Sequence, residues 1–215
     1  KALYYYKKAL YYKNNFAQAY YNIGDLLRHL KNWNGAILAF KQSIKYQPKH
    51  KNSYFNLANC LKEAKKYDEA IKMYKKSILL DSNCFESNFN LATSFYQIAD
   101  YKNAIEMYEK SISINHSNAD CFYYLGNSLV MIDKNDLAII AYLKALDLDN
   151  KKEEVYQNLG FCLINRKIQF PNQILKKVVI KLLNSNFFNP VELSIPATSL
   201  IKKEKVIQQL LYEND

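Results

Sequence analysis

The chain repeats itself every 34 residues. The stretch NSYFNLANCLKEAKKYDEAIKMYKKSILLDS from Asn52 aligns without a gap with ESNFNLATSFYQIADYKNAIEMYEKSISINH from Glu86. Further steps of 34 reach DCFYYLGNSLV from Asp120 and EVYQNLGFCLI from Glu154, and one step back reaches QAYYNIGDLLRHL from Gln18. A fixed period of this size indicates a repeat architecture, in which each unit buries its apolar face against the next. The period therefore predicts a stack of similar units rather than one globular core.

Composition favours helices in those units. The 215 residues include only four Gly and four Pro, far below average usage of about 7% and 5%. A chain so poor in turn residues is unsuited to an all-β fold. The glycines are also too far apart to form a glycine-rich phosphate loop, so nucleotide binding by such loops is excluded.

Small and large residues occupy fixed positions within the period. We count repeat positions from Ala17, Lys51, Phe85, Ala119 and Glu153. Position 8 is small in every unit: Gly24, Ala58, Ala92, Gly126 and Gly160. Position 20 is Ala36, Ala70, Ala104 and Ala138, and position 24 is Phe40, Tyr74, Tyr108 and Tyr142. Alternation of small and large side chains is what an interdigitated helix pair needs. The pattern resembles the tetratricopeptide (TPR) repeat, a helix–turn–helix unit of 34 residues.

The resemblance implies an all-α fold, a right-handed TPR solenoid of antiparallel helix pairs (an α-α superhelix). Helices are predicted near 17–30, 33–46, 51–64, 67–80, 85–98, 101–114, 119–132, 135–148, 153–166 and 171–184. The predicted units are TPRs at 17–50, 51–84, 85–118 and 119–152, and a degenerate TPR at 153–186. In the degenerate unit, Asn172 and Lys176 stand where Ala and an aromatic residue are expected.

Both ends depart from the full repeat. Residues 1–16 are predicted to be the second helix of a truncated TPR, and we expect more repeats before Lys1, because a lone helix would expose its apolar face. Residues 187–215 are predicted to form a C-terminal extension with a capping helix. Thr198 or Ser199 would be its N-cap, and its apolar face would hold Leu200, Ile207, Leu210 and Leu211. This helix would either cover the core of the last repeat or dock a partner.

The reactive side chains do not form a site in the sequence. His29, His50 and His116 share no face of the predicted helices, and the spacing of the four cysteines fits neither zinc nor a disulfide framework. We expect reduced thiols in the cytoplasm, with Cys60 and Cys162, both at position 10, as packing residues. No apolar stretch is long enough to span a membrane. The sequence therefore predicts no enzyme activity, no metal and no cofactor.

The resemblance assigns ligand contacts to the first helix of each unit, at positions 2, 5, 6, 9, 12 and 13 of a concave groove. Position 6 is occupied by Asn22, Asn56, Asn90 and Asn158, with Tyr124 in the fourth unit. An amide can bond the C=O and the N–H of an extended peptide together. Similar asparagine ladders line the TPR superhelices of O-linked N-acetylglucosamine transferase and of motor-adaptor proteins. The alternative is that Asn is simply common at this position of TPRs.

Positions 5 and 9 complete the predicted partner-binding groove. Position 5 carries aromatic rings, Tyr21, Phe55, Phe89 and Tyr123, and position 9 adds Asn59 and Asn127. The rings would form apolar pockets for a partner, or some would pack against the neighbouring repeat. The carboxylate clamp of chaperone-binding TPRs is disfavoured. In that family type, the clamp uses a Lys at position 5 and a basic residue at position 2, and this chain has neither.

Charge and resemblance together lead to a function class. The net charge is +10; residues 1–84 carry +11 and the rest of the chain carries −1. All but two of the 30 cations are Lys, whereas nucleic-acid readout favours Arg, so nucleic acid is the less favoured partner. We predict a non-catalytic scaffold that binds a protein or extended peptide in its groove, with no membrane contact, within a multi-subunit complex. The complex would be cytoplasmic, such as a cytoskeletal or ciliary, transport or cell-cycle assembly. The alternative is the substrate-selecting arm of a larger enzyme similar to the glycosyltransferase above.

Overall fold

The computed structural model describes residues 2–164, 173–184, 188 and 191–200. These residues form α-helices and a short helical segment at 194–200, with no strand among them. The helices are α1 (Ala2–Tyr12), α2 (Ala17–His29), α3 (Trp33–Tyr46), α4 (Lys51–Glu63), α5 (Tyr67–Leu80), α6 (Phe85–Gln97), α7 (Tyr101–Ile114), α8 (Ala119–Val130), α9 (Asn135–Leu148), α10 (Glu153–Leu163) and α11 (Gln173–Leu183). The all-α prediction is confirmed.

The chain divides into two compact units, Lys1–Asn115 and His116–Asp215. In the first unit, α2 packs on α3, α4 on α5 and α6 on α7, and each pair also contacts the next. In the second unit, α8 packs on α9, and α9 and α10 pack on α11. Contacts between successive elements are the pattern expected for stacked helix pairs.

The predicted helix bounds between residues 17 and 148 are confirmed to within two residues at every end. The prediction is wrong at the end of α10, which stops at Leu163, three residues early. There the backbone of Ile164 turns to ψ 128° and leaves the helical region. The division of the chain into repeats at residues 51, 85, 119 and 153 stays a prediction.

The turn inside each helix pair rests on one left-handed residue at repeat position 15. Lys31, Lys65, Ala99 and Asp133 have φ between 57° and 60°. After each of them, a backbone N–H reaches back five residues, as in Asn32 N to Leu27 O (2.9 Å) and Asp100 N to Phe95 O (3.0 Å). This is the Schellman motif. Glycine normally fills its left-handed position, yet no glycine of this chain has positive φ, so the sequence located the turns but did not reveal their left-handed residues.

We expect Ala99→Gly to raise the free energy of unfolding by about 0.5–1 kcal/mol. A left-handed residue with a Cβ costs about 1–2 kcal/mol, and glycine removes this cost. The greater freedom of glycine in the unfolded chain cancels about half of that stabilisation. Ala64→Gly is the matched control, since Ala64 ends α4 with φ −78° and should lose up to about 1 kcal/mol. Urea titration followed by circular dichroism measures both. Equal losses in the two variants would contradict the strained turn.

Each helix pair closes on a ring at position 24. Phe40, Tyr74, Tyr108 and Tyr142 are almost completely buried, as are the alanines at position 20. A Cβ added at Gly24 would lie 2.8 Å from the ring of Phe40, and one at Gly126 would lie 2.5 Å from Tyr142 Cε1. Real Cβ atoms do not approach other atoms this closely, so glycine lets these two helices meet over the ring.

In the degenerate unit, the ring comes from the C-terminal extension. Position 24 is Lys176, but Phe188 is buried, and a Cβ added at Gly160 would lie 2.5 Å from its ring. The ring of Phe161 meets Phe188 edge-on, with centroids 5.0 Å apart. Phe188 therefore takes the place against Gly160 that Phe40 and Tyr142 take against Gly24 and Gly126.

The predicted start of the C-terminal helix is wrong. The helical segment begins at residue 194, and Thr198 and Ser199 lie inside it, where their hydroxyls donate to Ser194 O (2.8 Å) and Pro196 O (2.9 Å). Proline fits the first turn of a helix, which accounts for a start before Pro196. Leu193, Pro196 and Leu200 are buried on one face, which favours the capping role over the docking one. Ile207, Leu210 and Leu211 lie outside the described residues.

Candidate functional site

The position 9 side chains are anchored by the rings at position 24. The hydroxyl of Tyr74 donates to Asn59 Oδ1 (2.6 Å), that of Tyr108 to Thr93 Oγ1 (3.3 Å) and that of Tyr142 to Asn127 Oδ1 (2.7 Å). The first pair differs, because Phe40 has no hydroxyl and Asp25 at position 9 pairs with Arg28 instead (2.7 Å). A buried tyrosine hydroxyl needs an acceptor, and position 9 supplies one wherever position 24 is Tyr.

Two of the position 6 amides are hydrogen-bonded to other amides of the protein, so they are not independent peptide-binding groups. Asn90 Nδ2 donates to Asn59 Oδ1 across α6 and α4 (3.4 Å), and Asn158 Nδ2 donates to Asn127 Oδ1 across α10 and α8 (2.8 Å). We call these the two amide pairs. In each pair, the position 6 amide of one helix is bonded to the position 9 amide of the preceding first helix. The sequence named all four residues and missed their pairing.

The other two predicted amides differ from each other in exposure. Asn22 lies on α2 and accepts from Gln18 Nε2 (3.0 Å). Asn56 is only 8% exposed and donates to the hydroxyl of Tyr21 (3.1 Å). Asn56 therefore joins α4 to α2, and its replacement would test packing as much as binding.

The position 5 rings pack within their own helix pairs. Tyr21 lies against Phe40, Phe55 against Tyr74, Phe89 against Tyr108 and Tyr123 against Tyr142, with ring centroids 5.7–6.3 Å apart. Each of these partner rings lies on the second helix of the same pair. Tyr21 also meets the next repeat, because its hydroxyl accepts from Asn56 Nδ2 (3.1 Å) and its ring lies edge-on to His50, with centroids 5.0 Å apart. All four rings are only half-buried, so each keeps part of its surface toward solvent.

Lys62 is the groove residue that the sequence reasoning missed. It lies at position 12 of α4, one turn after Asn59, and its Nζ donates to Asn90 Oδ1 (3.1 Å). Burial lowers the pKa of Lys62, and the charge of Glu63 partly offsets this. The signal was available, because position 12 is a ligand-facing position in the family and Lys62 shares a helix face with Asn59.

The three buried thiols, Cys60, Cys121 and Cys162, are packing groups. Cys60 and Cys162 are buried, as predicted. Burial raises the pKa of Cys60 to about 11 and that of Cys121 to about 12, so both stay protonated at neutral pH. Among the described residues, no group of three or more His, Cys, Asp or Glu is arranged to hold a metal ion. Within the same residues, no helix has the length and apolarity needed to cross a bilayer.

Successive helix pairs with polar and aromatic side chains along their first helices define a helical-repeat protein. The family model for the tetratricopeptide repeat matches residues 15–82 and 52–115. Residues 15–115 therefore carry repeats of the tetratricopeptide-repeat family, and the fold of the chain is the TPR solenoid class.

Solved structures of other TPR proteins share the fold. A crystal structure of the MamA protein is 27% identical with a TM-score of 0.66, over 68% of this chain and 80% of that one. YrrB, described as a TPR protein with an unusual peptide-binding site, is 15% identical with a TM-score of 0.72, over 88% and 96%. The first TPR of Spaghetti (RPAP3), bound to an HSP90 peptide, is 20% identical with a TM-score of 0.51, over 52% and 89%. Among curated proteins, no sequence matches the chain.

Proposed function

We propose that this chain is a non-catalytic interaction scaffold whose first helices bind an extended peptide segment of a protein partner. The groove residues are Tyr21, Asn22, Phe55, Asn56, Asn59, Phe89, Asn90, Tyr123, Asn127 and Asn158. The observation that carries the proposal is the pair of amide pairs, which recurs at equivalent repeat positions in both compact units.

The bonding inside the amide pairs sets what they offer to a ligand. Asn59 Oδ1 and Asn127 Oδ1 each accept two hydrogen bonds from the protein, which fills both lone pairs of an amide oxygen. Their Nδ2 groups have no partner among the described residues. These nitrogens are held as donors for the backbone C=O groups of an extended peptide, and the half-buried position 5 rings supply apolar contact beside them.

Two of the structural relatives add general support. YrrB is described as having a peptide-binding site, and the RPAP3 repeat holds a peptide. Peptide capture is thus within the chemistry of this fold, while the residues that perform it here are argued from this chain alone.

We also propose a setting for this function. A peptide-binding scaffold without its own reaction acts as a subunit of a larger assembly, and we place this one in a cytoplasmic complex. The basic charge resides mostly in Lys, which lacks the planar guanidinium that nucleic-acid recognition favours, so the partner we propose is a protein rather than a nucleic acid.

The proposal is tested with phage-displayed random dodecapeptides selected on the full chain. We expect selected peptides to bind Asn22→Ala or Asn158→Ala at least about fivefold more weakly than wild type. Each substitution removes up to two hydrogen bonds worth about 0.5–1.5 kcal/mol each. Asn22 and Asn158 are chosen because neither accepts a bond from a core tyrosine, so the fold should be retained.

Gln42→Ala is the matched control, because Gln42 is an exposed amide on α3, a second helix. It should leave every affinity unchanged. Isothermal titration of the synthetic peptides measures the three variants. Peptides that bind all three proteins as tightly as wild type would place the site elsewhere and overturn the proposal.

A further inference from the structure

The side chains of Lys62, Asn59 and Asn90 form one hydrogen-bonded cluster on the groove face of α4 and α6. Lys62 Nζ donates to Asn90 Oδ1 (3.1 Å), Asn90 Nδ2 donates to Asn59 Oδ1 (3.4 Å), and Tyr74 O–H donates to the same oxygen (2.6 Å). We call this the lysine–amide cluster. It lies entirely within the first compact unit.

Lys62 sets the orientation of both amides. An ammonium can only donate, so the group of Asn90 that faces it must be the oxygen. The nitrogen of Asn90 then faces Asn59, which must present its own oxygen in turn. No residue repeats this in the second amide pair, where position 12 is Val130. The cluster is therefore a fixed arrangement in the first unit only.

The unused bonding capacity of the cluster is almost all N–H donor. Lys62 has two more hydrogens on Nζ, Asn59 keeps both hydrogens on Nδ2, and Asn90 keeps one. The oxygen of Asn59 already accepts two bonds, and that of Asn90 accepts from the ammonium. A ligand that fits these groups is an acceptor with negative charge.

The charge of Lys62 is poorly compensated within the protein. Its side chain is 24% exposed, and the nearest carboxylate, Glu63 Oε1, lies 3.9 Å away. Burial lowers the pKa of this ammonium, and the charge of Glu63 offsets only part of that effect. At position 12 of the preceding pair, by contrast, Arg28 is bonded to Asp25 through Nε (3.1 Å) and Nη2 (2.7 Å).

We propose that the lysine–amide cluster binds the side-chain carboxylate of an Asp or Glu within the partner peptide. This inference rests on the proposed function and specifies its ligand. One ammonium matches the single charge of a carboxylate, whereas a phosphate, with about two charges, calls for several cations. The same groove face continues on α2, where Asn22 lies, so the peptide passes the cluster instead of ending there.

This site is distinct from the carboxylate clamp. The clamp uses basic residues at positions 2 and 5, which here are polar, acidic or aromatic. The cation of the lysine–amide cluster comes from position 12, on the same helix as Asn59.

The test uses synthetic dodecapeptides from the selection above, N-acetylated and C-amidated so that side chains carry every carboxylate. Each is also made with its Asp or Glu residues changed singly to Asn or Gln. We expect one such change to weaken binding to the wild-type chain at least tenfold, because a hydrogen-bonded, partly desolvated charge pair is lost. The same change should alter binding to Lys62→Met less than threefold.

Lys72→Met is the matched control, because it removes one exposed lysine from α5 and should behave as wild type. Lys62→Gln serves as a second variant, and thermal unfolding confirms that each variant is folded. High salt should weaken the binding of the acidic peptides to the wild-type chain, and should weaken their binding to Lys62→Met much less.

The outcomes separate the inference from the proposed function. Peptides that bind and respond to Asn22→Ala or Asn158→Ala, yet show no acid preference or the same preference on Lys62→Met, overturn the inference alone. Peptides that bind only when they are made with a free C-terminal carboxylate, and that need no internal Asp or Glu, also overturn it. If no dodecapeptide binds the chain, both fall.

Discussion

Gly126→Leu is expected to lower the free energy of unfolding of the second unit by about 3 kcal/mol, the upper end of the usual cost of overpacking. Even a single Cβ at this position would lie 2.5 Å from Tyr142 Cε1. The ring has no room to move, because Tyr142 is 1% exposed and its hydroxyl donates to Asn127 Oδ1 (2.7 Å). The helices α8 and α9 must therefore separate.

Gly126→Ala and Gly35→Ala form a matched pair for the same prediction. A Cβ at Gly35 would meet Asn32 Oδ1 (3.0 Å), Leu27 Cδ1 (3.1 Å) and Asn32 Cγ (3.2 Å), which are side-chain atoms rather than the face of a buried ring. Alanine also gains about 1 kcal/mol of helix propensity over glycine, so Gly35→Ala should be neutral or stabilising. Gly126→Ala should lower the free energy of unfolding by about 1–2 kcal/mol, although it gains the same helix propensity.

Urea unfolding followed by circular dichroism measures these variants. The single tryptophan, Trp33, lies in the first unit, so its fluorescence reports that unit separately, which matters because repeat arrays need not unfold in one step. A Gly126→Leu protein with the wild-type transition would show that the ring of Tyr142 does not occupy the space beside Gly126.

Phe188→Ala is expected to destabilise the second unit by about 3–5 kcal/mol, as for other buried phenylalanines. Phe188 is 7% exposed, and its ring lies over Gly160. No other ring is available at position 24 of this pair, because that residue is Lys176. The truncation would leave a cavity against α10.

Phe161→Ala is the matched control, because Phe161 is 66% exposed and touches Phe188 only edge-on. Its loss should cost about 0.5–1.5 kcal/mol, the worth of such a ring pair. Thermal unfolding by circular dichroism ranks the two variants. Equal effects, or a larger one for Phe161→Ala, would show that Phe188 is not the ring that closes the pair.

The 34-residue period, through its resemblance to the TPR, predicted the all-α class and the helix bounds from residue 17 to residue 148, and the structure confirms both. The reason is that small and large side chains recur at fixed positions, so each unit packs its two helices through the same local contacts. Gly24, Gly126 and the buried rings at position 24 could be placed in this way before any coordinates were known. The amides of the groove could be named because the resemblance assigns ligand contacts to repeat positions 6 and 9.

Tertiary structure alone decided how those groups are joined. Asn90 meets Asn59 and Lys62 at separations of 31 and 28 residues, and their register depends on how one helix pair settles on the next. Phe188 packs over Gly160 from a segment outside the repeat. The period does not predict this contact, because position 24 of that unit is Lys176 and the ring comes from a different part of the chain. A sequence period shows which side chains share a helix face. Only the contact geometry shows which of their hydrogen-bond donors and acceptors are already bonded within the protein, and the groups left over determine what kind of ligand can bind.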